Sequence, residues 1–167
     1  MTLPEGVVVT QATTAIELTV NSEHKELEVE PRWTLADVLR SQCHLTGTHL
    51  GCEQGICGAC TVLLDGDPVR SCLVYAIQCQ DAEIVTIEGL SSSGAVSDLA
   101  AAFSKHHGLQ CGFCTPGFVV LAAGILNRTP HINDDDLTEA LSSNLCRCTG
   151  YHGIIEAVKS VRDNAER

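Results

Sequence analysis

Residues 51–60 read GCEQGICGAC, three cysteines and three glycines in ten positions, and Cys72 follows a short way downstream. The spacing C-x4-C-x2-C with a later fourth cysteine is the plant-type arrangement for a [2Fe–2S] cluster, although the fourth thiol comes early here. Two tetrahedral irons each need two thiolates, so Cys52, Cys57 and Cys60 must curl around a small inorganic core, with Cys72 completing the set. Gly51, Gly55 and Gly58 are expected to permit that wrapping through φ > 0, close backbone approach and N–H groups turned toward sulfur. A structural zinc site is the alternative. It usually uses two C-x2-C knuckles about 15–20 residues apart, and this set has one. A catalytic thiol would want a partner histidine in a local signature, which is missing.

A second set lies downstream. Cys111 and Cys114 form C-x2-C just ahead of Thr115-Pro116, and Cys146 and Cys148 form C-x-C between two expected helices. Two helix-terminal loops can meet around one metal centre, where helix N-termini favour its negative charge. On spacing alone iron–sulfur and zinc both stay open for this set. The C-x-C pair suits separate irons better than one tetrahedral ion.

Composition narrows the field. Ten cysteines in 167 residues fall below the roughly 8–10% of a disulfide scaffold. In a reducing compartment clustered thiols more often ligate metal or do redox chemistry. A net charge of −11 has the wrong sign for a nucleic-acid backbone or anionic lipid. An aromatic share of 4% argues against a base-stacking platform. No apolar run approaches the roughly 20 residues that span a bilayer. The stretch MTLPEGVVVTQATT carries neither a basic n-region nor a twin-arginine pair, so a cytoplasmic protein without membrane insertion is expected.

The periodicity changes half-way along the chain. Ala15–Val20 and Lys25–Glu30 alternate as strands, and Thr34 is placed to cap a short helix carrying Leu35, Val38 and Leu39. Val62–Leu64 and Pro68–Cys72 flank Asp65-Gly66, a two-residue hairpin signal, and Ile84–Ile87 supplies a last strand. These elements predict a small mixed sheet with one helix across it. After SSSGAVS at 91–97 the pattern turns helical. Helices are expected over Asp98–His106, from Thr115 as N-cap with Pro116 at the first helical position, from Asn133 through Leu141, and over Ile154–Arg162. The second of these, GFVVLAAGIL, is apolar all round and should be buried.

LGCEQGICGACTVLLDG, QCGFCTPG and LCRCTGYHGI together resemble the small iron–sulfur subunit of the molybdenum hydroxylases, the xanthine oxidase family, across nearly the whole chain. The resemblance implies an α+β chain, with an N-terminal β-grasp ferredoxin-like domain and a C-terminal all-α four-helix domain, each holding one [2Fe–2S] cluster. The corresponding division is an N-terminal extension over 1–14, the β-grasp domain over 15–90, a linker over 91–97 and the helical domain over 98–167. By the same resemblance Cys52, Cys57, Cys60 and Cys72 hold the cluster nearer the flavin, and Cys111, Cys114, Cys146 and Cys148 the cluster nearer the molybdenum pterin. Gln110 matches the glutamine that hydrogen-bonds the pterin, and Cys148 the ligand whose sulfur lies close to the pterin amino group.

The family further implies an electron-transfer role within an oxidoreductase. Molybdopterin, as the cytosine dinucleotide, belongs to a large subunit and FAD to a medium subunit, in a heterotrimer that dimerises. This chain has no Gly-x-Gly-x-x-Gly pattern and no room for either domain. A free-standing ferredoxin for another oxidoreductase, or a zinc-stabilised scaffold, are the competing functions. Cys43 and Cys79 fall outside both sets and are expected to be buried structural residues. His106, His107 and His152 are expected at the surface or in packing, and the Asp134–Asp136 run as helix capping rather than a cation site.

Overall fold

The computed structural model describes residues 12–165. The expectation for residues 1–11, as part of an N-terminal extension, lies outside the described residues. The first strand β1 (Thr14–Val20) turns through Asn21 and Ser22, both at positive φ, into β2 (Glu23–Val29), and the two pair antiparallel along their whole length. Helix α1 (Leu35–Ser41) follows. Its start is fixed by a capping box: Thr34 Oγ1 accepts from the Asp37 N–H at 3.2 Å, and the Asp37 carboxylate accepts from the Thr34 N–H at 2.9 Å.

After the first cysteine loop, β3 (Thr61–Leu64) and β4 (Asp67–Arg70) form the expected hairpin. Leu64 faces Asp67 across a turn whose two residues, Asp65 and Gly66, sit at φ 50° and 85°. Pro68 is tolerated because β4 is an edge strand. Two 3₁₀ turns, Ser71–Leu73 and Ala76–Gln78, lead to β5 (Glu83–Val85). The sheet order is β2-β1-β5-β3-β4, with β5 parallel to β1 and antiparallel to β3. That is a β-grasp sheet with α1 packed on one face.

The chain then becomes helical through α2 (Ile87–Ser92), α3 (Ser97–Lys105), α4 (Thr115–Arg128), α5 (Asp134–Leu141) and α6 (His152–Ala165). Helix α2 takes in Ser91 and Ser92, the first two residues of the expected 91–97 linker, and the last strand stops at Val85. Thr86 makes this junction: its N–H donates to the Asn21 side chain at 2.9 Å and its hydroxyl to Glu88 at 2.6 Å. The start of α4 differs from expectation by one residue. Cys114 is the N-cap, and Thr115 already lies in the helix with its hydroxyl buried and unpartnered. The reason is the turn before it, where Gly112 at φ 81° lets the Thr115 N–H reach the Gly112 carbonyl.

Two main cores share β3. Val62 packs with Ile16, Leu18, Val38 and Leu39 between sheet and α1, while Leu63 points to the other face, among Phe118, Val119 and the helices. Helix α4 is buried nearly all round, as its composition predicts, and closes against β3 where Gly124 lets it approach Leu63 and Pro68.

Candidate functional site

The first four thiols lie on the loop between α1 and β3 and just beyond β4. Two anchors fix the approach to Cys52. Arg40 of α1 donates to the carbonyls of Thr46 and Thr48 at 2.9 and 2.8 Å, and Glu88 of α2 accepts from the Gly47 N–H at 2.7 Å. At the loop itself the N–H groups of Cys57 and Gln54 donate to Cys52 Sγ at 3.3 and 3.4 Å. These donors favour the thiolate and bring Cys52 down to about 7, the Cys57 N–H contributing most. Cys60 and Cys72 are buried together beside Ala36 and Leu50. Burial, reinforced by neighbouring Cys60, pushes the Cys72 thiol up to about 11.

The glycines behave partly as expected. Gly55 and Gly58 sit at φ 77° and 71°, but Gly51 does not use positive φ. It is a close-approach position, where a Cβ would stand 3.2 Å from Cys57 Sγ and 3.3 Å from the Phe113 ring. The space cleared by the other two is also occupied by protein. A Cβ on Gly55 would meet Leu73 at 2.3 Å, and one on Gly58 would meet Asn144 Oδ1 at 1.9 Å.

The second four thiols come from the turn before α4 and the loop between α5 and α6. Cys111 and Cys148 are exposed, their Sγ atoms 3.5 Å apart. Burial raises Cys146, but the Thr149 hydroxyl at 3.1 Å and its N–H at 3.5 Å, together with the Cys148 N–H and Cys114, outweigh it, so that thiol lies below its usual value. The Cys146 N–H donates to the Tyr151 hydroxyl at 3.0 Å. Cys114 is pushed up to about 12 by burial and then by Cys146. Gln110 Nε2 donates to the Cys148 carbonyl at 3.1 Å.

In both sets the thiols fall into neighbouring pairs: Cys52 with Cys57, Cys60 with Cys72, Cys111 with Cys148, Cys114 with Cys146. Among the described residues, no three His, Cys, Asp or Glu side chains gather to hold a single ion. Two pairs of sulfurs fit two irons, one pair each, better than one tetrahedral cage.

The two sets are also joined. The Leu145 N–H donates to the Cys57 carbonyl at 2.9 Å, and Asn144 Nδ2 donates to the Gly58 carbonyl at 3.3 Å. Arg70 reaches Ser143, and His49 stacks on Phe113 at 4.8 Å while its Nδ1–H donates to the Phe113 carbonyl at 2.7 Å. Spacing assigns none of these residues a role. Asn144 and Tyr151 stand beside the C-x-C pair, where adjacency is the only signal they carry.

Cys79 is buried and Cys43 half-buried against the sheet–α1 core, where desolvation raises both thiols. The acidic run caps α5: Asn133 accepts from the Asp136 N–H, and Asp134 pairs with Lys159 and Arg162.

Residues 18–85 match the 2Fe-2S iron-sulfur cluster binding domain, and residues 86–159 the [2Fe-2S] binding domain. The caffeine dehydrogenase subunit gamma of Pseudomonas sp. (strain CBB1) is 49% identical over 154 residues, covering 90% of this chain and 92% of that protein. The chain belongs to the small iron–sulfur subunits of the molybdenum hydroxylases. Another relative of this small subunit is the nicotine 6-hydroxylase small subunit of Paenarthrobacter nicotinovorans, 52% identical over 143 residues and 86% of each chain. In structure, the small subunit superposes on quinoline 2-oxidoreductase from Pseudomonas putida 86 with a TM-score of 0.86 at 47% identity, covering 95% of this chain and 98% of that one. It is thus an iron–sulfur subunit of an oxidoreductase, with the expected β-grasp-then-helical architecture. Among the described residues, no helix is long and apolar enough to cross a membrane.

Proposed function

We propose that this chain carries electrons between a molybdopterin on a large subunit and FAD on a medium subunit, through two [2Fe–2S] clusters. Cys52, Cys57, Cys60 and Cys72 hold the cluster nearer FAD. Cys111, Cys114, Cys146 and Cys148 hold the one nearer the pterin, which is the cytosine dinucleotide form. Each cluster, when bound, takes up and releases single electrons. The protein's part is to supply paired thiolates, aim N–H donors at sulfur and keep the inner pair of the first set dry.

The observation that carries the reading is the joining of two four-thiol sets by the Leu145 N–H to the Cys57 carbonyl. At the exposed end, Gln110 spends its amide N–H on Cys148, which leaves its carbonyl oxygen to accept a pterin N–H, and Cys148 presents its sulfur there. The exposed apolar side chains Ile56, Leu73, Leu109, Phe113 and Leu145 lie beside the cysteines. Such clustering fits docking against partner subunits. The complex is a heterotrimer that dimerises in the cytoplasm, with the two modules of this chain meeting in the segment 86–97.

Co-expression with the neighbouring molybdenum and flavin subunits, followed by metal analysis and EPR of the reduced complex, tests the proposal. Two irons per set and two distinct signals are expected. Stoichiometric zinc in a colourless protein, or a stable monomer with full iron and no affinity for either subunit, would overturn it.

A further inference from the structure

Arg70 ends β4, two residues before Cys72. Its Nη1 donates at 2.9 Å to the hydroxyl of Thr61, the residue after Cys60. Its Nη2 donates to the carbonyl of Ser143 at 2.9 Å and to its hydroxyl at 3.2 Å, three residues before Cys146. The Thr61 hydroxyl in turn donates to the Gly58 carbonyl at 2.7 Å, the same oxygen that accepts from Asn144. The guanidinium carbon stands 3.1 Å from where a Cβ on Gly58 would be. One planar fork therefore reaches from the first cysteine loop to the loop that carries the second set.

All the acceptors of this fork are neutral, and among the described residues no carboxylate pairs with it. A half-buried guanidinium stays charged at any working pH. The nearest thiols along the chain are Cys72, two residues after Arg70, Cys60, next to its acceptor Thr61, and Cys146, three residues beyond its acceptor Ser143. A fixed cation beside an iron–sulfur site stabilises its reduced, more negative state.

We propose that Arg70 is a positioning residue that locks the two cysteine loops together and whose charge raises the reduction potential of both sites, the first more than the second. This rests on the reading that both sets hold clusters. The test uses the assembled complex carrying R70M or R70K, with iron content, EPR-monitored reductive titration and the magnetic interaction between the two reduced sites as readouts. In R70M both sites keep their iron. The first midpoint falls by the equivalent of about a tenfold change in reduction equilibrium, or about 59 mV for one electron. The second falls less, and the magnetic interaction weakens. R70K restores the midpoints but not the interaction, because an ammonium cannot span both acceptors. Unchanged midpoints and interaction in R70M overturn the inference. If R70M fails to assemble, R70K decides: a wild-type interaction in that variant overturns the inference, and a weakened one supports it. Wild-type complex lacking iron in either set overturns the underlying reading instead.

Discussion

The peptide N–H of Leu145 donates to the carbonyl of Cys57 at 2.9 Å, and Leu145 is covalently bonded to Cys146. One hydrogen bond and one peptide unit thus separate a residue of the first thiol set from a residue of the second. The contact is backbone to backbone, so it survives side-chain changes at either position. It is broken by forcing the modules apart.

Gly117 offers that force. A Cβ there would stand 2.4 Å from the Gly58 carbonyl oxygen and 3.2 Å from the Ala59 Cα, neither of which can swing away. Gly117→Val should cost about 1–3 kcal/mol, read as a lower urea midpoint, and should weaken the magnetic interaction between the reduced sites. Gly124→Ala should be milder, since its nearest neighbours are the side chains of Leu63 and Pro68. Equal stability of the two variants would contradict the seam.

The cysteines should separate into two classes. Cys148→Ser should remove the second EPR signal and leave the first. Cys43→Ser should leave both. Cys79→Ser buries a hydroxyl where a thiol packed against the core, so it should destabilise by about 1–3 kcal/mol while keeping full iron. Iron loss in the Cys79 variant without unfolding would refute its purely structural role.

Thr34→Ala removes one half of the α1 capping box and should cost about 0.5–2 kcal/mol in denaturant unfolding. Because Ala36 of this helix packs on Cys60 and Cys72, the same variant should release iron from the first set to a chelator faster than from the second. Equal release rates would show that α1 does not guard that pair.

Asp134 gives a pH dependence of known sign. Lys159 first and Arg162 next hold its carboxyl below the ordinary 3.8. A depressed folded-state value means the stabilisation is present above the unfolded value and is lost as pH falls through the folded one. The melting-temperature gap between wild type and Asp134→Asn should therefore be seen near pH 7 and narrow as the pH falls below the ordinary carboxylate range. The pair is solvent-exposed, so the gap should also shrink in high salt. A gap that widens in acid would reverse this assignment.

What the amino-acid string makes legible is chemistry that stays local. Asp65-Gly66 specifies its own turn, Thr34 its own cap, and the cysteine spacings their own sets. Helix α2 was hidden because its start depends on Thr86 held by Asn21, 65 residues away. Helix α4 starts one residue earlier than Thr115-Pro116 suggests because the Gly112 turn already closes there. Arg70 on Ser143 and Asn144 on Gly58 bridge 73 and 86 residues. Contacts of that span leave no periodic trace. The glycines were legible as necessary, while one of their occupants, Asn144, came from the other module.

Strand β3 sends Val62 into one core and its neighbour Leu63 into the other. A wall shared in this way cannot be cut. Either half expressed alone would show a sticky face, so a protease nick between them should yield aggregation rather than two tidy fragments. Heat should melt the chain in one step. The same strand makes the chain inheritable only whole: shuffling either module into a new protein would first require repainting the far side of β3.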